Sequence, residues 1–371
     1  MDDDRLCHVE TFERKSTDFP QFLDLCVNTY FYRKPVVVSW NIIKYNIFSE
    51  TGGPDLYGTE PWTFYFRNLI LNFNIWFILA LLALPLFLVQ KIASPSRLGF
   101  QSALRTVVFV SPFYLWLVIF SLQPHKEERF MYPTYPFLAL NAAISSHILL
   151  TAFGSKARGN TKEKSFISKV SVKLRLLVVT TVFLGAAAAG LLRTLGVYTA
   201  YSGPLRLYSA LEHGQDSAIG GLGDSVCFGK EWYRFPTSYF LPRDMHAKFI
   251  RSEFRGLLPG EFSEARTGFG IWSGTWLPTS GLNDRNEEDL GKYVDIRSCD
   301  FLVDTQFERD ELPPNEPDYV ADENWEVVKC EPFLDASKTH ALSRAVWVPA
   351  FGLEWLKRSW ARHCLLKRVK T

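Results

Sequence analysis

Four long, uncharged, apolar stretches constrain this chain more than any other feature. They cover residues 68–90, 106–124, 130 to about 151, and 176–192. Each is close to the roughly 20 residues that a helix needs to cross the hydrocarbon core of a bilayer. Pro85, Pro112 and Pro136 lie inside three of them, which bundled membrane helices tolerate better than isolated soluble helices do. The sequence therefore predicts four transmembrane helices within residues 68–193, preceded by a segment of residues 1–67.

Basic residues in the links between these stretches predict their orientation. The first link carries Lys91, Arg97 and Arg105 without an acidic residue, and the third contains Glu163 as its only acid. The third link carries the basic residues Lys156, Arg158, Lys162, Lys164, Lys169 and Lys173 among others. By the positive-inside rule both links face the cytosol. The loop between the second and third stretches, the N-terminal segment and everything after residue 193 are then expected on the opposite face.

The composition indicates a second, different part of the chain. Hydrophobic residues make up 47% of the sequence, yet the mean hydropathy is only −0.02. After residue 194, short β-prone runs such as 225–228, 239–241 and 301–303 alternate with turn residues. The predicted fold class is therefore a membrane α-helical part followed by a soluble α/β domain (residues 194–371) on the non-cytosolic face. Residues 357–370 are predicted to form a basic tail.

The cysteines of this second part allow two interpretations. A bridge between Cys227 and Cys299 is conceivable because both lie in or beside strand-like runs, but buried free thiols fit equally well. Cys7, Cys26 and Cys364 have no readable role.

The net charge and the spacing of histidines and cysteines argue against several classes of function. The net charge is only +2, so a nucleic-acid partner has no electrostatic support. The seven histidines are scattered without metal-ligand spacing, and no pair of cysteines has zinc-site spacing. We therefore expect no metal and no cofactor.

The run from His125 to Phe130 is the strongest candidate for a functional site. It packs charge between two apolar stretches, and we call residues 123–130 the charged loop. Lys126 and Arg129 suit a phosphate, whereas Glu127 and Glu128 can accept hydrogen bonds from sugar hydroxyls. Residues 53–62, the turn segment, add Asp55, Tyr57, Glu60 and Trp62 just before the first stretch. A salt-bridge cluster that only fixes two helix ends explains the charged loop equally well.

Four sequence strings resemble a known family. The run from His125 to Phe130, continued as Met-Tyr-Pro-Thr-Tyr-Pro, resembles the signature of membrane mannosyltransferases that use dolichyl-phosphate mannose. The turn segment, residues 229–236 (Gly-Lys-Glu-Trp-Tyr-Arg-Phe-Pro) and residues 252–256 (Ser-Glu-Phe-Arg-Gly) are similar to the α-1,2-mannosyltransferases that extend the lipid-linked oligosaccharide for N-glycosylation. The resemblance runs from about Tyr30 to about Pro349.

This resemblance implies a C-type glycosyltransferase in the endoplasmic reticulum membrane, multi-pass, with its active site on the lumenal face. Its partners would be dolichyl-phosphate mannose as donor and the lipid-linked oligosaccharide as acceptor. Transfer from a β-linked donor to an α-linked product implies inversion, with a carboxylate base deprotonating the acceptor hydroxyl. The residues expected to bind the donor phosphate are His125, Lys126 and Arg129, and those expected to bind sugar are Asp55, Tyr57, Glu60, Trp62, Glu127 and Glu128.

The chain departs from this family in one important place. The family's acidic motif, which supplies the presumed base, lies in a first lumenal loop that has no counterpart before Tyr30, and Asp2, Asp3 and Asp4 lack its context. The catalytic base is therefore unassigned, and we expect this sequence to be the C-terminal part of a mannosyltransferase. The alternatives are an inactive membrane module that binds dolichyl-linked glycan or a partner transferase, and a mannosyltransferase of glycolipid anchors.

Overall fold

A computed structural model describes most of the chain. The described residues are 22–30, 32, 34–48, 53–93, 100–154, 171–211, 223–242, 245–260, 263–265, 274–277, 281–283, 285–309, 311–349 and 351–369. Asp2, Asp3, Asp4, Arg97, Cys7 and most of the basic link before residue 171 lie outside this set. The predictions that rest on them therefore have no structural counterpart here.

The first part of the fold is a helical bundle. Its helices are α1 (Val38–Phe48), α2 (Phe64–Phe73), α3 (Ile75–Ala93), α4 (Phe100–Leu122), α5 (Tyr135–Gly154) and α6 (Val172–Tyr201). Among the described residues, α3, α4 and α6 are long and apolar enough to cross a membrane. Aromatic and aliphatic side chains from α2, α3, α4 and α5, including Tyr65, Phe77, Phe113 and Leu138, form the bundle core. Three of the four predicted stretches thus contain or overlap an apolar helix of spanning length.

The first predicted stretch is not one helix. Asn74 has a positive φ of 45° and separates α2 from α3. Its side-chain oxygen accepts a hydrogen bond of 2.7 Å from the backbone N–H of Ile75, and its amide donates to the carbonyl of Ala186 on α6 at 3.3 Å. The expectation of a continuous helix over residues 68–90 is therefore wrong, because an asparagine that tolerates the left-handed region ends one helix and begins the next.

The third predicted stretch forms a helix, but a later and more polar one than expected. Residues Glu128–Thr134 form a 3₁₀ helix, and α5 begins only at Tyr135. The polar residues of α5 are buried against neighbours: Asn141 donates to the carbonyl of Val110, and Ser145 donates to that of Leu79. A fourth span stays a prediction.

Helix α6 passes the predicted boundary at residue 193 and ends at Tyr201, where the short helix α7 (Gly203–Leu207) follows. Its last turns pack against the part of the chain that follows, which we call the sheet domain. Arg358 of that domain donates to the hydroxyl of Thr199 at 2.7 Å and to the carbonyl of Gly196 at 3.4 Å. The boundary predicted after residue 193 therefore falls inside a helix that belongs to both parts.

The sheet domain contains a five-stranded mixed sheet with the strand order β2-β1-β5-β7-β6. The strands are β1 (Ser225–Phe228), β2 (His246–Phe249), β5 (Phe301–Gln306), β6 (Trp325–Leu334) and β7 (Trp360–Arg368). Strand β1 pairs in parallel with β2 and β5, whereas β7 pairs antiparallel with β5 and β6. A separate hairpin joins β3 (Ser263–Ala265) and β4 (Gly274–Leu277), and α8 (Ala341–Ala345) follows β6.

Two predictions for this domain are wrong. Residues 239–241 were expected to form a strand, but Ser238–Phe240 is a 3₁₀ helix in which the backbone N–H of Tyr239 donates to the side-chain hydroxyl of Thr237. The expected basic tail is instead the buried strand β7, in which Leu365 and Leu366 are fully buried. Basic residues lie on both sides of the apolar centre of β7, so counting charges alone predicted a tail. The strand in fact pairs with β5 on one side and with β6 on the other.

Two disulfide bonds close the sheet domain. Cys227 on β1 is bonded to Cys299, with their Cα atoms 5.8 Å apart, so the bridge that was conceivable from sequence is present. Cys330 and Cys364 form a second bond between paired positions of β6 and β7. Sequence reasoning missed this bond because it had placed Cys364 in a tail rather than in a strand.

Candidate functional site

The charged loop and the turn segment lie against each other. The backbone N–H of Glu60 donates to the carbonyl of Pro124 at 3.0 Å, and a ring nitrogen of His125 lies 2.9 Å from the carbonyl oxygen of Gly58. The rings of Tyr57 and His125 have centroids 6.1 Å apart. Two segments that are more than sixty residues apart in sequence therefore form one surface at the end of the bundle.

Lys126 holds this junction together from inside. Its side chain is buried, and its ammonium group donates to the carbonyls of Glu60 at 2.7 Å, Gln123 and Pro124. An ammonium group has three hydrogens, and these three carbonyls account for all of them. Gln123 and Pro124 directly follow the end of α4 at Leu122, so Lys126 also fixes the chain where it leaves the helix. Its geometry is that of a structural cation, which differs from the phosphate contact expected from sequence.

Glu127 organises the polar groups that remain on the surface. Its carboxylate contacts Nε2 of His125 at 3.0 Å and both Nε and Nη2 of Arg129, at 2.6 and 2.8 Å. The hydroxyl of Tyr65 donates to its backbone carbonyl at 3.1 Å. The side chain of Arg129 remains 67% exposed, and the guanidinium group is also 5.7 Å from the centre of the Phe130 ring. Arg129 is thus pre-oriented by a carboxylate while most of its surface stays open.

Glu128 points into a different network, which runs toward the sheet domain. The amide of Asn72 donates to the Glu128 carboxylate at 3.2 Å, and Arg193 donates to the Asn72 oxygen at 3.1 Å. Arg193 also donates to the carbonyl of Ala345 at 2.7 Å. Sequence reasoning missed Asn72 and Arg193. The signal that could have identified Arg193 is its position directly after the uncharged stretch of residues 176–192.

The remaining predicted sugar-binding residues lie on the open side of the same surface. Asp55 and Glu60 are exposed, as are Tyr57 (51%) and Trp62 (63%). Exposed aromatic rings beside carboxylates can stack on a sugar ring while the carboxylates accept hydrogen bonds from its hydroxyls. Among the described residues, no His, Cys, Asp and Glu side chains are grouped in a way that could hold a metal ion.

A second polar cluster lies inside the sheet domain, built partly from residues 229–236. Glu231 is fully buried and accepts two hydrogen bonds from Arg234, while Lys230 forms an ion pair of 3.0 Å with Asp304. His363 lies 2.7 Å from the hydroxyl of Thr305 and 3.5 Å from Glu231. Burial raises the pKa of Asp304 to about 7 and lowers that of His363 to about 4. These residues are remote in sequence from the charged loop and connect β1, β5 and β7 and the residues beside them through buried polar contacts.

Comparison with known proteins gives the family. Residues 19–242 match the Alg9-like mannosyltransferase family, so this chain belongs to that family. It is 37% identical over 332 residues to the α-1,2-mannosyltransferase alg9 of Schizosaccharomyces pombe, covering 89% of this chain and 56% of the relative. It is 40% identical over 337 residues to the human α-1,2-mannosyltransferase ALG9, covering 87% of this chain and 51% of the relative. The family resemblance found in the sequence strings is therefore confirmed.

Three further findings limit what this family relationship shows. The chain spans about half the length of the curated relatives that it matches. The GPI mannosyltransferase 3 of Kluyveromyces lactis matches over a shorter region, with 32% identity over 155 residues, or 40% of this chain. No solved structure gives a significant match.

Proposed function

We propose that this chain acts in the transfer of mannose from dolichyl-phosphate mannose to the lipid-linked oligosaccharide, forming an α-1,2 linkage during assembly of the N-glycan precursor. The observation that carries the proposal is the joined surface of charged loop and turn segment in a member of this family. That surface combines an open arginine, carboxylates and exposed aromatic rings, which are the groups that a phosphate-linked sugar requires.

In this proposal Arg129 and His125 contact the donor phosphate. The buried Lys126 fixes the backbone of the charged loop that carries them. Negative charge accumulates on the phosphate as the mannosyl bond breaks, and a fixed guanidinium group stabilises that charge. Glu127 keeps Arg129 and His125 in position, since it contacts both. Asp55, Glu60, Tyr57, Trp62 and Glu128 are proposed to contact sugar. Inversion requires a base for the acceptor hydroxyl, and the carboxylates of this surface are the first candidates in the described part of the chain.

We further propose a multi-pass arrangement in the endoplasmic reticulum membrane with this surface in the lumen. The charged loop follows α4, and the C-terminal end of α6 meets it through Arg193 and Asn72. This meeting is consistent with α5 crossing the bilayer, because α5 starts beside the charged loop and its 20 residues span about 30 Å. The two disulfide bonds of the sheet domain favour an oxidising compartment such as the lumen.

Mannose transfer in membranes tests the proposal directly. Membranes containing this chain, from cells that lack the corresponding α-1,2-mannosyltransferase, would receive radiolabelled dolichyl-phosphate mannose and a truncated lipid-linked oligosaccharide. We expect a product whose new mannose is released by an α-1,2-specific mannosidase. Arg129→Ala is expected to reduce transfer about 100-fold or more while leaving membrane insertion unchanged. Arg129→Lys is the matched control for charge, and it should recover only part of the activity because it cannot form the paired contact.

Other results would favour the alternatives. If the inserted chain gives no transfer but retains lipid-linked oligosaccharide on affinity capture, the chain is a binding module. Transfer to glycolipid-anchor precursors instead would assign it to the anchor pathway, for which the shorter match to the GPI mannosyltransferase is the supporting observation. Full activity in Arg129→Ala would reduce the charged loop to a structural cluster.

A further inference from the structure

Residues 345–347 of the sheet domain are attached to the last turns of α6. The backbone N–H of Trp347 donates to the carbonyl of Leu192 at 2.9 Å, and Arg193 donates to the carbonyl of Ala345. Gly196 makes this approach possible, since a Cβ atom there would lie 2.7 Å from the backbone nitrogen of Trp347. The position of this segment along α6 is therefore fixed within about one helical turn.

The spacing of charged residues along α6 indicates where this attachment would lie relative to a bilayer. Between Arg175 and Arg193 the helix carries no charged residue. Eighteen residues at 1.5 Å each separate the two arginines by about 27 Å, which is close to the roughly 30 Å thickness of a hydrocarbon core. If α6 crosses the membrane, its two arginines lie at the two interfaces. Trp347 then lies at the interface on the side of the sheet domain.

The residues that follow Trp347 expose large apolar side chains at this level. Trp347 is 39% exposed, Phe351 is 83% exposed, Leu353 is 46% exposed and Trp355 is 54% exposed. Their one acidic neighbour, Glu354, is paired with Lys357 at 2.6 Å. Tryptophan is enriched where membrane meets water, because its ring is apolar and its N–H can still reach polar groups. We call residues 346–349 and 351–356 the aromatic loop.

The backbone of the aromatic loop adds an independent observation. Phe351 has a positive φ of 44° and is followed by Gly352 with a φ of 80°. A bulky residue in this conformation costs of the order of 1 kcal/mol, and in water an exposed phenylalanine gains nothing in return. The turn projects the most exposed aromatic ring of the loop outward. Burial of that ring in lipid would offset the cost of the conformation.

We propose that the aromatic loop inserts into the bilayer interface and holds the sheet domain on the membrane surface beside the charged loop. The partner is the boundary between phospholipid headgroups and acyl chains. This role goes beyond glycosyl transfer and does not depend on it; it requires only that α6 crosses the membrane.

Site-directed spin labelling tests the insertion. The chain, with Cys7 and Cys26 replaced by serine, would be placed in phosphatidylcholine nanodiscs and labelled at Phe351→Cys. The matched control is Leu290→Cys: Leu290 is 66% exposed and lies near Tyr293, which bridges to β2 at the sheet edge opposite β6. We expect collisions with oxygen to exceed those with a water-soluble nickel complex at residue 351, and the reverse at residue 290. Leu353→Cys provides a second position if labelling at 351 prevents folding.

Two outcomes would overturn the proposal. A label at residues 351 and 353 that is as accessible to the nickel complex as the label at residue 290 would mean that the loop projects into water. A label protected from both reagents would mean that protein, from this chain or from a second copy, covers the loop instead of lipid.

Discussion

At the scale of single residues, neighbouring charges in the charged loop have different surroundings. Lys126 and Arg129 were equivalent candidates for a phosphate on sequence grounds, because both are cations in one short run. The fold buries Lys126 among three carbonyls and leaves Arg129 open. Sequence reasoning could not separate them, since the carbonyl of Glu60 comes from a segment more than sixty residues away.

A substitution pair can separate these roles. Lys126→Met leaves buried carbonyls without donors, so we expect the free energy of unfolding to fall by about 1–3 kcal/mol. Thermal unfolding of the detergent-solubilised chain would measure the loss. Arg129→Ala, at an exposed position, should shift the midpoint little. If Lys126→Met unfolds like the parent chain, the three-carbonyl contact contributes little and Lys126 returns as a phosphate ligand.

At the scale of elements, the close approach of α6 and the sheet domain depends on a glycine. An alanine at residue 196 would place its Cβ atom 2.7 Å from the nitrogen of Trp347, closer than non-bonded atoms approach. We expect Gly196→Ala to separate the two parts, which would increase the rate of limited proteolysis between residues 340 and 358. Gly190→Ala is the matched control, because no atom lies within 4 Å of its Cβ position. It should be neutral or slightly stabilising, since alanine favours a helix by about 1 kcal/mol.

Elements also show how far the sequence could predict this fold. Apolar length located α3, α4 and α6, and the β-prone runs located β1 and the start of β5. The break at Asn74 was not predictable from hydropathy, because it depends on a hydrogen bond to Ala186 that forms only when the helices pack. Strand β7 was missed because basic residues at both ends of an apolar centre look like a tail.

At the scale of the whole molecule, two buried titrating groups of the sheet domain have opposite effects on how stability depends on pH. Burial raises the pKa of Asp304 in the folded state from its ordinary value of 3.8 to about 7, so this group destabilises the fold as pH rises from about 4 to 7. That of His363 is lowered to about 4 from 6.5, so this group destabilises the fold as pH falls from about 6.5 to 4. The two slopes have opposite signs between about pH 4 and 6.5, so these two groups together contribute little net pH dependence to the free energy of unfolding in that range.

Single substitutions at these two residues should make the free energy of unfolding depend on pH in opposite directions. With Asp304→Asn the histidine remains, and the free energy of unfolding should rise with pH between about 4 and 6.5. With His363→Gln the aspartate remains, and the free energy should fall with pH between about 4 and 7. Each slope approaches about 1.4 kcal/mol per pH unit for one proton. Thermal unfolding midpoints of both variants, measured between pH 4 and 7, test this prediction. If the midpoints of both variants change with pH in the same direction, the two pKa values are not shifted in opposite directions.

The position of β7 has a consequence for how this protein is made. The strand lies between β5 and β6, yet it is the last of the five to leave the ribosome. Until it arrives, β5 and β6 have no partner on that side and Cys330 has no cysteine to join. The sheet can therefore close only after residues 360–368 have been made. A stop codon that removes only the residues from Trp360 onward would leave the helical bundle intact but an unclosed domain, exposed to the chaperones and proteases that inspect newly made chains.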